Sequence, residues 1–198
     1  MLGQIFIEEE YQPIALSRPQ AIIDLGANVG FSSAYFLSKY PNATVLAIEP
    51  DPGNYAICIR NLAPFGDRGR AVLGAAWPES AKLALNRGTW RDGREWSTQV
   101  RPENGEDATS YVEGYDIPTL IRLSGFAEID LLKIDIEKSE IELFSRNTNH
   151  WLPFIRNLCI ELHGPDCEEV FFRALSDYSY ELSRSSELTI CSNLKLRA

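Results

Sequence analysis

Between residues 21 and 62 the chain reads strand, glycine turn, helix, strand, helix, and this alternation constrains its fold more than any other feature. Residues 21–25 are an apolar run closing on Asp24-Leu25-Gly26, and residues 31–40 follow a helical pattern that Pro41 stops. Residues 44–48 read as a second buried strand. Asp51 followed by Pro52 starts a helix running to about Leu62, because an Asp cap accepts backbone N–H bonds and Pro pre-sets φ. Strands alternating with helices imply a parallel sheet with right-handed crossovers and helices on both faces. Ligands of such sheets sit at the carboxyl ends of the strands.

The rest of the chain extends the pattern. Residues 70–75 predict a third strand, and residues 82–86 and 97–101 an antiparallel pair around a polar tip. Asp116 with Pro118 begins a helix that ends near Gly125. Strands follow at 129–134 and 154–162, helices at 138–145 and 167–176, and a closing pair of strands at 178–182 and 188–191. Residues 4–11 alternate weakly and predict a short edge strand ahead of a Pro-bearing link. With 198 residues and 44% hydrophobic content, one core accommodates everything. The expected fold class is α/β: a mostly parallel central sheet, helices on both faces and an antiparallel C-terminal strand.

A net charge of −9 argues against nucleic acid and anionic lipid as partners, since both need clustered Lys and Arg. Residues 1–10 lack a basic segment ahead of an apolar core, and no apolar run approaches the roughly 20 residues that span a bilayer. A soluble, cytoplasmic chain is expected. Cys58, Cys159, Cys167 and Cys191 never pair as CxxC and read as buried free thiols.

Asp24-Leu25-Gly26-Ala27-Asn28-Val29-Gly30 joins the first strand to the first helix. Its glycines let the backbone approach a ligand closely, but the spacing is GxxxG rather than the GxGxxG that cradles a dinucleotide pyrophosphate. A ligand without phosphate fits better, which favours S-adenosylmethionine with its carboxylate, ammonium and sulfonium. Asp24 is then a candidate for the ammonium, and the amides from Asn28 to Phe31 for the carboxylate; an ordinary strand-to-helix turn is the alternative. Glu49 ends the second strand about 20 residues further on, where an acidic side chain accepts ribose hydroxyls. Pro50 follows it, and Asp51 reads as a helix cap. Ala76 and Trp77 close the third strand where an adenine ring lies in such folds, with core packing the alternative for Trp77.

Leu131 to Ile134 run straight into Asp135 and Glu137, at the end nearest a reacting methyl group. An alcohol is a poor nucleophile near neutral pH, so an acceptor needs positioning and general-base help. Asp135, Glu137 and His163, the last at another strand terminus, are the catalytic candidates. Together they offer ligands for a divalent ion, although no tight ligand spacing singles out a metal site and none is predicted. Glu140 and Glu142 read as a solvated helix face.

In order along residues 21–163, DLGANVG, AIEPDPGNY, GYDIPTL and IDLLKIDIEKSEIELF resemble the FkbM family of methyltransferases. The resemblance implies a class I methyltransferase fold with a Rossmann-like core, S-adenosylmethionine as donor, and O-methylation of sugars, polysaccharides or polyketide-like products. By motif match, Asp24, Gly26, Asn28, Gly30 and Glu49 bind the donor, while Asp135 and Glu137 line the reaction centre. The chain then divides into an N-terminal extension (1–20), a donor-binding and catalytic core (21–165), and an acceptor-side excursion at 82–113 within a single domain. Residues 87–113 are the expected acceptor-contacting region, with Trp90 and Trp96 stacking on sugar rings or packing under a surface hairpin. The acceptor is expected to be a small molecule or glycan.

Lys138 departs from the family, whose members commonly carry glycine after this glutamate. A side chain there narrows the acceptor pocket or pairs with a carboxylate and blunts its basicity. The region before the glycine turn is also short for the family. Two rivals therefore stand beside a methyltransferase: a catalytically silent donor-binding module and, on the shared sheet alone, a NAD-dependent oxidoreductase.

Overall fold

In the computed structural model, which describes residues 2–7, 9–86, 99–102 and 110–197, the chain opens with a short helix, α1 (Leu2–Phe6). β1 (Ala21–Leu25), α2 (Phe31–Lys39), β2 (Thr44–Glu49) and α3 (Pro52–Leu62) follow. Next come β3 (Gly69–Leu73), β4 (Ala75–Ala76), β5 (Ala81–Asn86), β6 (Gln99–Pro102) and β7 (Tyr111–Tyr115). The remainder comprises α4 (Ile117–Ser124), β8 (Leu131–Ile134), α5 (Glu140–Ser145), β9 (Leu158–Glu161), α6 (Pro165–Ala174), β10 (Tyr178–Ser185) and β11 (Leu188–Leu196).

Seven strands form the central sheet in the order β10-β11-β9-β8-β1-β2-β3. β3, β2, β1, β8 and β9 are mutually parallel, and β11 runs antiparallel to both neighbours, as expected of the C-terminal strand. The chain leaves β1 toward β2 and β3, then returns to its other side as β8 and β9. In sheets with such a reversal, ligands bind in the crevice beyond the carboxyl ends of the strands that flank it, here β1 and β8.

Successive strand residues face opposite sides of a sheet. Ile23, Leu25, Leu46, Ile48, Leu132 and Ile134 accordingly join Leu120, Leu143 and Phe171 of α4, α5 and α6 in one buried cluster. Ile22, Val45, Ala47 and Leu131 join Phe36, Leu37, Cys58 and Leu62 of α2 and α3 in another. Both faces are thus covered by helices, which is why these strands read as unbroken apolar runs. Asp51 caps α3 by accepting from the amides of Gly53 and Asn54 at 2.7 and 3.1 Å, and Asp116 caps α4 through the amide of Thr119 at 2.8 Å. Gly125 ends α4 with φ of 78°. All four cysteines are free and buried. No helix among the described residues is long and apolar enough to cross a membrane.

Four expectations change. The opening segment is helical rather than an edge strand: Ile5 is buried with Tyr11, Ile14 and Phe36, and Phe6 meets Phe31 and Tyr35 edge-on, so tertiary packing overrides a weak alternation. The predicted third strand breaks at Gly74, where a β-carbon would meet the Tyr115 ring at 2.5 Å, and Ala75 moves into a second sheet of order β4-β7-β5-β6. Residues 111–115, for which no strand is predicted, form β7 of that sheet and pair with β5. Helix α5 starts two residues late, because Glu137 and Lys138 hold φ of 51° and 75°. The expected β5–β6 hairpin forms, with Asn86 opposite Gln99, while its tip with Trp90 and Trp96 lies outside the described residues.

Candidate functional site

The glycine turn is left-handed at three positions: Gly26, Asn28 and Gly30 have φ of 72°, 52° and 83°. A β-carbon on Gly26 would lie 1.7 Å from the carbonyl oxygen of Asp135, and one on Gly30 would lie 2.8 Å from Cys58 Sγ. Only glycine allows the turn to close against the end of β8. The amides of Gly26 and Ala27 both donate to the carbonyl of Ile48, at 3.0 and 3.0 Å. Asn28 N donates to Glu49 Oε2 at 2.7 Å, Val29 N to Asn28 Oδ1 at 2.7 Å and Gly30 N to Ala27 O at 2.8 Å. Three of the four amides expected to meet a carboxylate are therefore engaged inside the turn. The amides of the first turn of α2, from half-buried Phe31 onward, are the ones a helix cannot satisfy itself.

Glu49 reaches back from β2 to this turn. Its Oε1 accepts from Asp51 N at 2.8 Å, so each carboxylate oxygen holds one backbone N–H, and the residue is only 4% exposed. Burial raises its pKa to about 7 against the pull of those two N–H bonds. Pro50, half-buried, separates it from the Asp51 cap.

Asp24 is not available to a ligand's ammonium: it is 0% exposed, and the ammonium beside it is the chain's own. Lys133 Nζ, from β8, stands 3.1 Å from Asp24 Oδ1 and donates to the Gly26 carbonyl at 3.1 Å, while the Ser32 and Ser33 hydroxyls donate to Asp24 Oδ2 at 2.6 Å each. Burial alone discourages the Lys133 charge, but Asp24, Tyr11 and Asp135 outweigh it and hold the ammonium ionised. Trp77 is likewise corrected: it is 4% exposed and packed with Ala75, Leu83, Leu85 and Val112 in the core of the smaller sheet. Ala76 is buried in the main core. Trp77 also borders a small cavity with Pro78, Glu79, Asp116 and Trp151.

Asp135, Glu137 and His163, 28 positions apart at most, do converge. His163 Nε2 stands 3.8 Å from Asp135 Oδ1 and 3.8 Å from Glu137 Oε2. Two residues not assigned from sequence complete the group. Glu161, at the end of β9, places Oε1 at 3.4 Å from the same nitrogen. Glu140 is no solvated helix residue: it is 1% exposed, and its Oε1 lies 3.1 Å from both His163 Nδ1 and the amide of Ile136, which donates to it. It thereby ties the turn after β8 to the end of β9.

The charges follow from this crowding. Burial opposes a charged His163, yet hydrogen bonds to Glu140 and Glu161 and their negative charges push its pKa to about 11. Burial lifts Asp135 to about 6, with Lys133 and His163 pulling down and Glu161 and Glu140 pushing up. Burial likewise raises Glu137. The surrounding carboxylates thus favour a proton on His163, while burial raises Asp135 and Glu137 above their ordinary values and makes the two carboxylates the stronger bases of their kind. Lys138 is exposed, so its departure from glycine registers in the backbone and not as a side chain filling the crevice.

Comparison with known proteins agrees with this construction. The chain is 28% identical over 217 residues to the methyltransferase sdnD of Sordaria araneosa, covering 91% of this chain and 81% of the relative. It is 27% identical over 194 residues to the 31-O-demethyl-FK506 methyltransferase FkbM of Streptomyces tacrolimicus, covering 82% of this chain and 74% of the relative. The crystal structure of methyltransferase FkbM from Methylobacillus flagellatus shares the fold at a TM-score of 0.63 and 15% identity, over 98% of this chain. The chain spans 48% of that protein's length. The model of the methyltransferase FkbM domain matches residues 24–182, and the chain belongs to that family.

Proposed function

We propose that this protein is an S-adenosylmethionine-dependent O-methyltransferase whose acceptor is a hydroxyl of a small molecule or glycan. The observation that carries the reading is the bond from Asn28 N to Glu49 Oε2, which sets an ionisable carboxylate at the lip of the glycine turn. Beyond its two backbone bonds and a side-chain bond from Asn54, Glu49 keeps acceptor capacity for a ribose hydroxyl. The first-turn amides of α2 suit the donor carboxylate. With Asp24 closed off, the donor ammonium falls to the backbone carbonyl of Asp135, which already faces Gly26. S-adenosylmethionine supplies an electrophilic methyl group on a positively charged sulfur.

Across the crevice, one carboxylate of the Asp135–Glu137 pair accepts the acceptor's hydroxyl proton, and His163, held by Glu140, helps to position the acceptor. One relative is named for a 31-O-demethyl compound, which supports an oxygen acceptor. Calorimetry with S-adenosylmethionine and NAD, followed by a methyl-transfer screen over glycans and small alcohols, tests the reading. Donor binding with transfer to an alcohol is expected; NAD binding in its place removes the assignment. Asp135→Asn is expected to lower kcat more than donor affinity, and an equal loss of both recasts it as a binding residue.

A further inference from the structure

We propose that Asp135, Glu161 and His163 form a divalent-cation site at the carboxyl ends of β8 and β9. One ligand atom from each lies within 4.8 Å of the other two. Carboxylates alone do not make such a site; the imidazole does, on two counts. Its Nδ1 is fixed at 3.1 Å from Glu140, a residue buried to 1% exposure, so the ring has one orientation and presents Nε2 to the crevice. That is the arrangement in which an outer carboxylate holds a metal-ligating histidine. Second, Nε2 faces oxygens of Glu161, Asp135 and Glu137 at 3.4, 3.8 and 3.8 Å, so one imidazole nitrogen and three carboxylates converge on the same space. Two ligands of one ion at about 2.1 Å lie roughly 3.0 Å apart at right angles and roughly 4.2 Å apart when opposed. The two separations from Nε2 to Glu161 and Asp135, 3.4 and 3.8 Å, fall in that interval.

Charge points the same way. Four carboxylates (Asp135, Glu137, Glu140 and Glu161) surround one imidazole, and Lys133, 3.8 Å from Asp135, is already paired with Asp24. Two carboxylate oxygens and one imidazole nitrogen suit Mg²⁺ or Mn²⁺ with positions left for water or a hydroxyl.

The ion's role rests on the methyltransferase reading, although its binding does not. It holds the acceptor's hydroxyl oxygen and lowers that group's pKa. The O–H bond breaks and the proton goes to Glu137; the oxygen forms the new bond to the methyl carbon as the S–CH₃ bond breaks, its electron pair staying on sulfur.

The test is titration of the full chain, stripped with chelator, with Mn²⁺, read by calorimetry and pulsed EPR. One Mn²⁺ per chain is expected, with nuclear modulation from an imidazole nitrogen that disappears in His163→Ala. Glu161→Gln and Glu140→Gln are expected to weaken binding by about ten-fold or more. Glu142→Gln, on the exposed side of α5, leaves it unchanged. The wild-type spectrum decides even where a variant does not fold: Mn²⁺ bound without nitrogen modulation, or no stoichiometric binding, overturns the site. S-adenosylmethionine binding to the stripped chain separates the two claims. Donor binding without nitrogen-coupled Mn²⁺ removes the cation site and spares the methyltransferase, and nitrogen-coupled Mn²⁺ without donor binding does the reverse.

Discussion

The carbonyl oxygen of Asp135 occupies the space a side chain on Gly26 would need, 1.7 Å from the ideal β-carbon position. The donor-side turn and the acidic turn are thus in van der Waals contact through a missing methyl group, and φ of 72° at Gly26 adds a conformational demand of its own. Gly26→Ala is expected to cost about 3 kcal/mol or more, combining backbone overlap with left-handed strain. Urea unfolding measures it. A loss under about 1 kcal/mol means that β8 can withdraw from the turn and that the crevice is not rigidly set.

Glu49 is expected to give the proposed donor site a pH dependence. Its pKa of about 7 lies above the ordinary carboxylate value, so the fold favours the protonated form. The stability that proton contributes is fully present below about pH 4.5 and lost as pH rises through about 7. Donor binding runs the opposite way, because the ionised carboxylate accepts ribose hydroxyls more strongly. Affinity for S-adenosylmethionine is expected to rise between pH 6 and 8 with a midpoint of about 7. Glu49→Gln is expected to flatten that profile and lower affinity about ten-fold. A wild-type profile flat across the range detaches Glu49 from the ribose.

What the sequence made legible was local. The ends of β1, the glycine turn and the Asp51 cap each depend on residues within a turn of one another, and each formed where its spacing placed it. Lys133 and Glu140 were not legible, because their meaning lies in distant partners. Lys133 sits inside an apolar strand, and its carbonyl partner at Gly26 is 107 residues away. Glu140 follows a helical face pattern that reads as solvated, and what buries it is His163, 23 residues on. A lone Lys in a buried strand was the one available signal, since a fully buried ammonium demands a counter-ion. For Trp77 the sequence left ligand stacking and core packing open, because the second sheet that packs against its ring is built from residues distant in sequence.

Lys138 holds φ of 75° immediately after Glu137 at 51°, two successive left-handed residues with side chains. A β-carbon makes this conformation unfavourable by roughly 1 kcal/mol. Glycine, which the family resemblance expects here, relieves it. Lys138→Gly is expected to raise stability by about 0.5–1 kcal/mol, less whatever contacts the lysine makes. A loss of stability in thermal or urea unfolding shows that those contacts outweigh the strain.

The Lys133–Asp24 pair is the last element to predict, and its sign depends on what is removed. Both groups are buried, at 2% and 0% exposure, with Nζ 3.1 Å from Oδ1, and Asp24 also accepts from Ser32 and Ser33 at the start of α2. Lys133→Met keeps the length of the side chain and leaves the Asp24 carboxylate facing an apolar group, which is expected to cost about 3–5 kcal/mol. Asp24→Asn alone strands the ammonium, although Asp135 at 3.8 Å relieves part of that penalty, so a smaller loss is expected. In the double variant neither charge is stranded. Its stability is expected to exceed that of Lys133→Met alone, giving a coupling energy of at least about 1 kcal/mol in the cycle. Additive losses mean the two charges do not sense each other, and the pair is then two separate anchors, one on Gly26 and one on the α2 serines.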